Sequence, residues 1–94
     1  MIFYYEEEPC VIWYKDKKIL LTQAEARLFY LLCSAEGNTV SKEEINSLFE
    51  SEKGNIGEVY IHHLRRKLED PFSTKIIHTV RAKGYWIDVK LQKN

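Results

Sequence analysis

The stretch NIGEVYIHHLRRKLED, residues 55–70, constrains the chain more than any other. Gly57, Ile61, Leu64 and Leu68 recur at i, i+4, i+7 and i+11, the spacing of a helix that buries one narrow side. The opposite side gathers Asn55, Val59, His62, His63 and Arg66, with Arg65 and Lys67 on the flanks. Taken alone, such a helix is also what an ordinary surface helix with a charged, solvated back looks like. The rest of the chain decides between the two.

Charge is the first discriminator. The formal net charge is zero, yet residues 1–58 hold six Lys/Arg against eleven Asp/Glu, and residues 59–94 hold eight against three. The C-terminal part, which contains the helix, is therefore the candidate for a polyanionic partner. Donors, a small apolar patch and cations on one helix face suit the floor of a DNA major groove.

The 94 residues amount to one α+β domain that can bury a core without metal or disulfide staples. Cys10 and Cys33 have no CxxC spacing, so reduced thiols in a cytoplasmic protein are expected. No apolar run approaches the ~18 residues needed to cross a bilayer, so no membrane contact is expected within the chain.

In chain order, residues 1–21 predict a small N-terminal sheet of three short antiparallel strands, near 2–5, 10–14 and 18–21, with a tight turn at Lys15 to Lys17. Residues 22–70 predict three helices. Thr22 with Glu25 forms a capping box for the first, whose stripe is Ala24, Leu28, Leu31 and Ala35 and whose stop is Gly37. Ser41 with Glu44 opens a second, from Lys42 to about Glu50, burying Ile45, Leu48 and Phe49. Asn55 with Glu58 opens the third in the same way. Residues 75–90 predict a β-hairpin, turning at Ala82-Lys83-Gly84 with the glycine at positive φ, and the tail from Leu91 is expected to fray. Three helices followed by a hairpin is the winged-helix order.

Four stretches resemble the winged helix-turn-helix effector domain of OmpR/PhoB-type response regulators. They are Leu21-Thr22-x-x-Glu25-x-x-Leu28, Val40-Ser41-x-Glu43-Glu44-Ile45, the run Val59 to Leu68, and Ile77 to Tyr85, and they cover nearly the whole chain in the family's order. The resemblance implies a transcription factor domain that binds double-stranded DNA. It implies a third helix reading base edges in the major groove through Asn55, Val59, His62, His63 and Arg66, with the thymine methyl as the partner for Val59. It further implies a wing that meets phosphate and minor groove through Thr79, Arg81 and Tyr85, with Arg65, Lys67 and Lys83 as phosphate contacts. A second copy paired on DNA, and RNA polymerase at the 51–54 loop, are the partners it suggests. The chain departs from the family's usual pattern at Gly57, His62, His63, Ala82 and Trp86, and has three N-terminal strands where four are usual.

Other chemistries find less support. Adjacent His62 and His63 point ~100° apart on a helix, and no Cys/His pair has zinc-finger spacing, so no metal and no other cofactor is expected. Glu6-Glu7-Glu8 is a solvated charge run, and neither a nucleophile elbow nor a phosphate loop is present, so the chain does not read as an enzyme. Trp13 and Trp86 read as sheet-packing aromatics. The competing function is a winged helix that binds a protein partner and no DNA, motivated by histidines where stronger cations are common.

Overall fold

Period-two burial builds the first sheet. In the computed structural model, which describes residues 1–49 and 54–94, β1 (Ile2–Tyr5), β2 (Val11–Tyr14) and β3 (Lys17–Leu20) form antiparallel neighbours. They turn Phe3, Ile12 and Ile19 inward to the core. Lys15 takes φ 53° at the expected tight turn.

The remaining elements follow the expected order. Helix α1 (Gln23–Ser34) leads to β4 (Val40–Ser41), α2 (Lys42–Ser47), α3 (Ile56–Leu68) and a single 3-10 turn at Asp70–Phe72. Strands β5 (Ile77–Val80) and β6 (Gly84–Ile87) make the hairpin, and β7 (Lys90–Lys93) ends the chain. The sheet orders are β3-β2-β1-β7 and β4-β6-β5.

Strand β7 corrects the expectation of a frayed tail. It pairs parallel with β1, Phe3 opposite Leu91, and Asn94 N donates to Tyr5 O at 2.8 Å. The free edge of β1 needs a hydrogen-bonding neighbour, and the tail is the segment that reaches it. Its sequence, KLQK, has one apolar residue and so carries almost no alternation to read.

The capping box of α1 forms as expected: Glu25 N donates to Thr22 Oγ1 at 3.2 Å, and Thr22 N donates to Glu25 Oε1 at 2.9 Å. Of the expected stripe, Leu28 is buried as read and the other three positions are not. Glu25, Ala26, Leu28, Phe29 and Leu32 are buried, whereas Ala24, Leu31 and Ala35 are half-buried. The arc shifts because α1 packs on both the first sheet, where Phe29 meets Phe3 edge-on at 5.8 Å, and on α3.

Ser41 Oγ accepts from Glu44 N at 3.0 Å, one half of the expected capping box, so α2 starts where read, but the helix closes at Ser47. Residues 50–53, with most of the 51–54 loop, lie outside the described residues. The connection before α2 is more than a linker, because β4 pairs with β6, Val40 opposite Tyr85 and Ser41 opposite Gly84.

That pairing reverses the roles expected in the hairpin turn. Ala82, not Gly84, takes the positive φ, 64°. Gly84 is needed for space: a Cβ there would lie 1.9 Å from Val40 O. Glycine is the residue that lets β4 lie against β6 this closely.

Two neighbouring substitutions should therefore act in opposite directions. Ala82→Gly relieves a left-handed alanine and is expected to raise stability by about 1 kcal/mol. Gly84→Ala forces β4 off β6 and is expected to lower it by at least about 3 kcal/mol. Urea unfolding of both variants measures the two signs.

Candidate nucleic-acid interface

Helix α3 buries the side its spacing demands. Gly57, Ile61, Leu64 and Leu68 are the buried residues, packed against α1 and α2. Its start differs from the expected Asn55 cap: among the described residues the Asn55 side chain makes no cap hydrogen bond. Asn46 of α2 substitutes, its Oδ1 accepting from Gly57 N at 3.1 Å. A Cβ on residue 57 would sit 2.5 Å from that oxygen and 2.9 Å from Ile45 Cγ2. The glycine's low helix propensity, about 1 kcal/mol against alanine, is thus offset by close approach of α2.

The outward side is the one predicted. Asn55, Val59, His62, His63 and Arg66 are all exposed along one face, with Val59 at 45%. His63 stands edge-on to Tyr60 at 5.8 Å between ring centres. The hairpin tip presents Arg81 and Lys83, both exposed, and is tied to the start of α2, where Lys83 O accepts from Lys42 N at 3.1 Å. Neither Arg66, Arg81 nor Lys83 belongs to an ion pair among the described residues.

Three residues expected at this surface are engaged elsewhere. Lys67 Nζ donates to Leu20 O at 2.8 Å and to Glu25 Oε1 at 2.5 Å, joining α3 to the start of α1 instead of standing free for phosphate. Arg65 Nη2 donates to Ile77 O at 2.9 Å and to Thr79 Oγ1 at 3.0 Å, and its guanidinium lies 5.8 Å from the centre of the Tyr85 ring. Tyr85 is a core residue, 7% exposed, because its strand is the centre of the three-stranded sheet. Burial, reinforced by Glu58 and opposed by Arg65, pushes its phenol above the usual range, so it stays protonated at neutral pH. Thr79 remains exposed as expected.

Asn46 and Glu69 are positioning groups that pattern reading missed, and Glu25, read as a capping residue, has a second role in its pair with Lys67. Asn46 and Glu25 reach partners 11 and 42 residues away, whereas Glu69 had a local signal, standing one turn after Arg65.

The burial of Glu25 raises its carboxyl pKa, but hydrogen bonds from Lys67 and the Thr22 amide, and the Lys67 charge, lower it further, leaving a net value below the ordinary 4.5. The thiols are free, and burial pushes the half-buried Cys33 thiol up to about 12, so it stays protonated at neutral pH. Trp86 stacks on His78 at 4.3 Å, a sheet-packing role as read. Among the described residues no His/Cys/Asp/Glu group could hold a metal, and no helix is long and apolar enough to cross a membrane.

A helix-turn-helix pair backed by α1, with a hairpin wing beside the exposed face of the last helix, defines a winged helix-turn-helix domain. Residues 16–87 match the family model described as "Transcriptional regulatory protein, C terminal", and the chain belongs to that family of OmpR/PhoB-type domains, which bind DNA to regulate transcription. It is 38% identical over 79 residues to the transcriptional regulatory protein PcoR of Escherichia coli, covering 79% of this chain and 34% of PcoR. The chain thus spans about a third of that relative. Among solved structures, the C-terminal domain of the nisin resistance regulator NsrR superposes with a TM-score of 0.70 at 28% identity, covering 88% of each chain. The AdeR DNA binding domain, in complex with an intercistronic region, shares the fold with a TM-score of 0.74 at 20% identity, covering 85% of this chain and 86% of that one.

Linkage gives the ion pair a signature. A carboxyl lowered in the folded state contributes stability above its unfolded value and loses it as pH falls below about 4.5. Melting temperatures from about pH 6 to about pH 3 should fall more steeply for the wild type than for Glu25→Gln. Lys67→Met, which leaves the carboxylate buried and unpaired, should cost about 2 kcal/mol at neutral pH, less than a fully buried pair because Lys67 is 36% exposed.

Proposed function

We propose that this chain is the effector domain of a two-component-type response regulator and reads a specific duplex sequence with α3 in the major groove. The observation that carries the reading is the outward face of α3. Val59 is 45% exposed among Asn55, His62, His63 and Arg66, and an exposed valine amid donors gains a partner on a thymine methyl. Arg66 offers the forked donor that a guanine edge accepts, and Asn55 the donor and acceptor that adenine matches.

The wing supplies the second half of the contact. Arg81 suits a narrow minor groove, where the potential is most negative, and Lys83 suits the flanking phosphates. Thr79, whose oxygen accepts from Arg65, keeps a hydroxyl proton to donate to a phosphate. One such domain covers a single half-site, so a second copy on an adjacent half-site completes the operator, and residues 51–54 are the stretch of sequence assigned to RNA polymerase. A DNA-bound role goes with a cytoplasmic location.

Selection of duplexes from a random pool at ~100 mM salt, with Arg66→Ala in parallel, tests the reading. An enriched motif that blurs at one position in the variant is expected. Lys83→Ala, which removes one phosphate contact, should lower the slope of log affinity against log salt by about 0.9. No enrichment from folded protein, at low salt too, would turn the reading to a winged helix that binds a protein partner.

A further inference from the structure

Strand β5 is an edge strand, so one side of it lacks a strand neighbour. Two side chains from the end of α3 take that place. Glu69 Oε2 accepts from Ile76 N and Ile77 N, both at 2.8 Å, and Arg65 Nη2 donates to Ile77 O at 2.9 Å and to Thr79 Oγ1 at 3.0 Å. Arg65 and Glu69 stand one helical turn apart, with Nε and Oε1 3.8 Å from each other. Together they present an acceptor and then a donor along the edge, as a neighbouring strand would.

We infer that Arg65 and Glu69 are positioning residues for DNA recognition, clamping the wing's edge strand to the reading helix so that Arg66 and Arg81 reach adjacent grooves together. The inference rests on the DNA-binding reading above. Strand β5 carries Thr79 and runs directly into Arg81, so whatever fixes Ile77 to α3 fixes the wing. Groove-to-groove distance on a duplex is set by the helix of the DNA, and a protein already built to that distance avoids an ordering cost on binding. The hydrogen bonds of Arg65 to β5 and its packing against Tyr85 identify a structural fork, not a side chain waiting for phosphate.

Lysine at position 65 separates the two roles. It keeps the charge a phosphate needs, but its ammonium is one bond shorter, lacks an Nε to face Glu69 and has no planar face for Tyr85. The test is a double-mutant cycle on duplex affinity, with thermal melts establishing that each variant is folded at the assay temperature. Arg65→Lys is expected to weaken the selected site roughly tenfold, and Arg81→Ala, roughly tenfold in the wild type, to cost less than about twofold in the Arg65→Lys background. Glu69→Ala provides the second variant with an opposed sign. Removing a negative charge near a polyanion raises affinity by electrostatics alone, whereas loss of the clamp lowers it.

Wild-type affinity in Arg65→Lys with the full Arg81→Ala loss retained, or tighter binding by Glu69→Ala, would overturn the clamp while leaving DNA binding intact. A wild-type chain that binds no duplex would overturn the DNA reading itself and the clamp's purpose with it. The two failures are thus distinguishable.

Discussion

Helix α3 must be immobile on one side and bare on the other, and the rest of the chain is arranged around that constraint. Burial of Ile61, Leu64 and Leu68 holds its axis against the core, but apolar packing is non-directional and sets rotation and axial position poorly. Polar groups supply the direction. Asn46 fixes the first turn through Gly57 N, the Glu25–Lys67 pair fixes one flank, and Arg65 with Glu69 fixes the other against β5. Each tie has one end on α3 and the other on a different element. The cations of the flanks are spent inward, which leaves the exposed face with Arg66 and two histidines.

The wing depends on a second close fit. Gly84 admits Val40 O, so β4, β6 and β5 form one small sheet that joins the start of α2 to the hairpin. The Lys42 N to Lys83 O bond continues this link into the turn. The wing therefore answers to α2 on one edge and to α3 on the other. His78 and Trp86, stacked on strands that are directly opposite, stiffen the pair between those edges.

What could be read from the residues was whatever is local. The stripe of α3, the Thr22–Glu25 box, the Ser41 cap and the outward set from Asn55 to Arg66 all follow from spacings within one helix. What could not be read was whatever depends on a distant partner. Glu25 reads as a helix-capping acid and nothing more until Lys67 arrives from far down the chain, and Lys67 looks free for the same reason. Tyr85 looks like a wing residue until β4 makes its strand central. Ala82 and Gly84 exchange roles because a glycine's permissive φ and its small size are different properties, and the sequence does not say which one a turn is using. The error in the α1 stripe has the same origin, since a helix packed on two sides buries an arc that no single stripe describes.

Strand β7 closes the first sheet beside β1 in the same direction, with Ile2 opposite Lys90 and Tyr5 opposite Lys93. The outer ends of these two strands therefore lie at opposite ends of one ladder. A pull between Met1 and Asn94 loads its hydrogen bonds side by side, in shear, instead of opening them one after another. Mechanically the domain is sewn shut along its length, and a tension applied through its ends must break the whole seam at once before it can disturb α3.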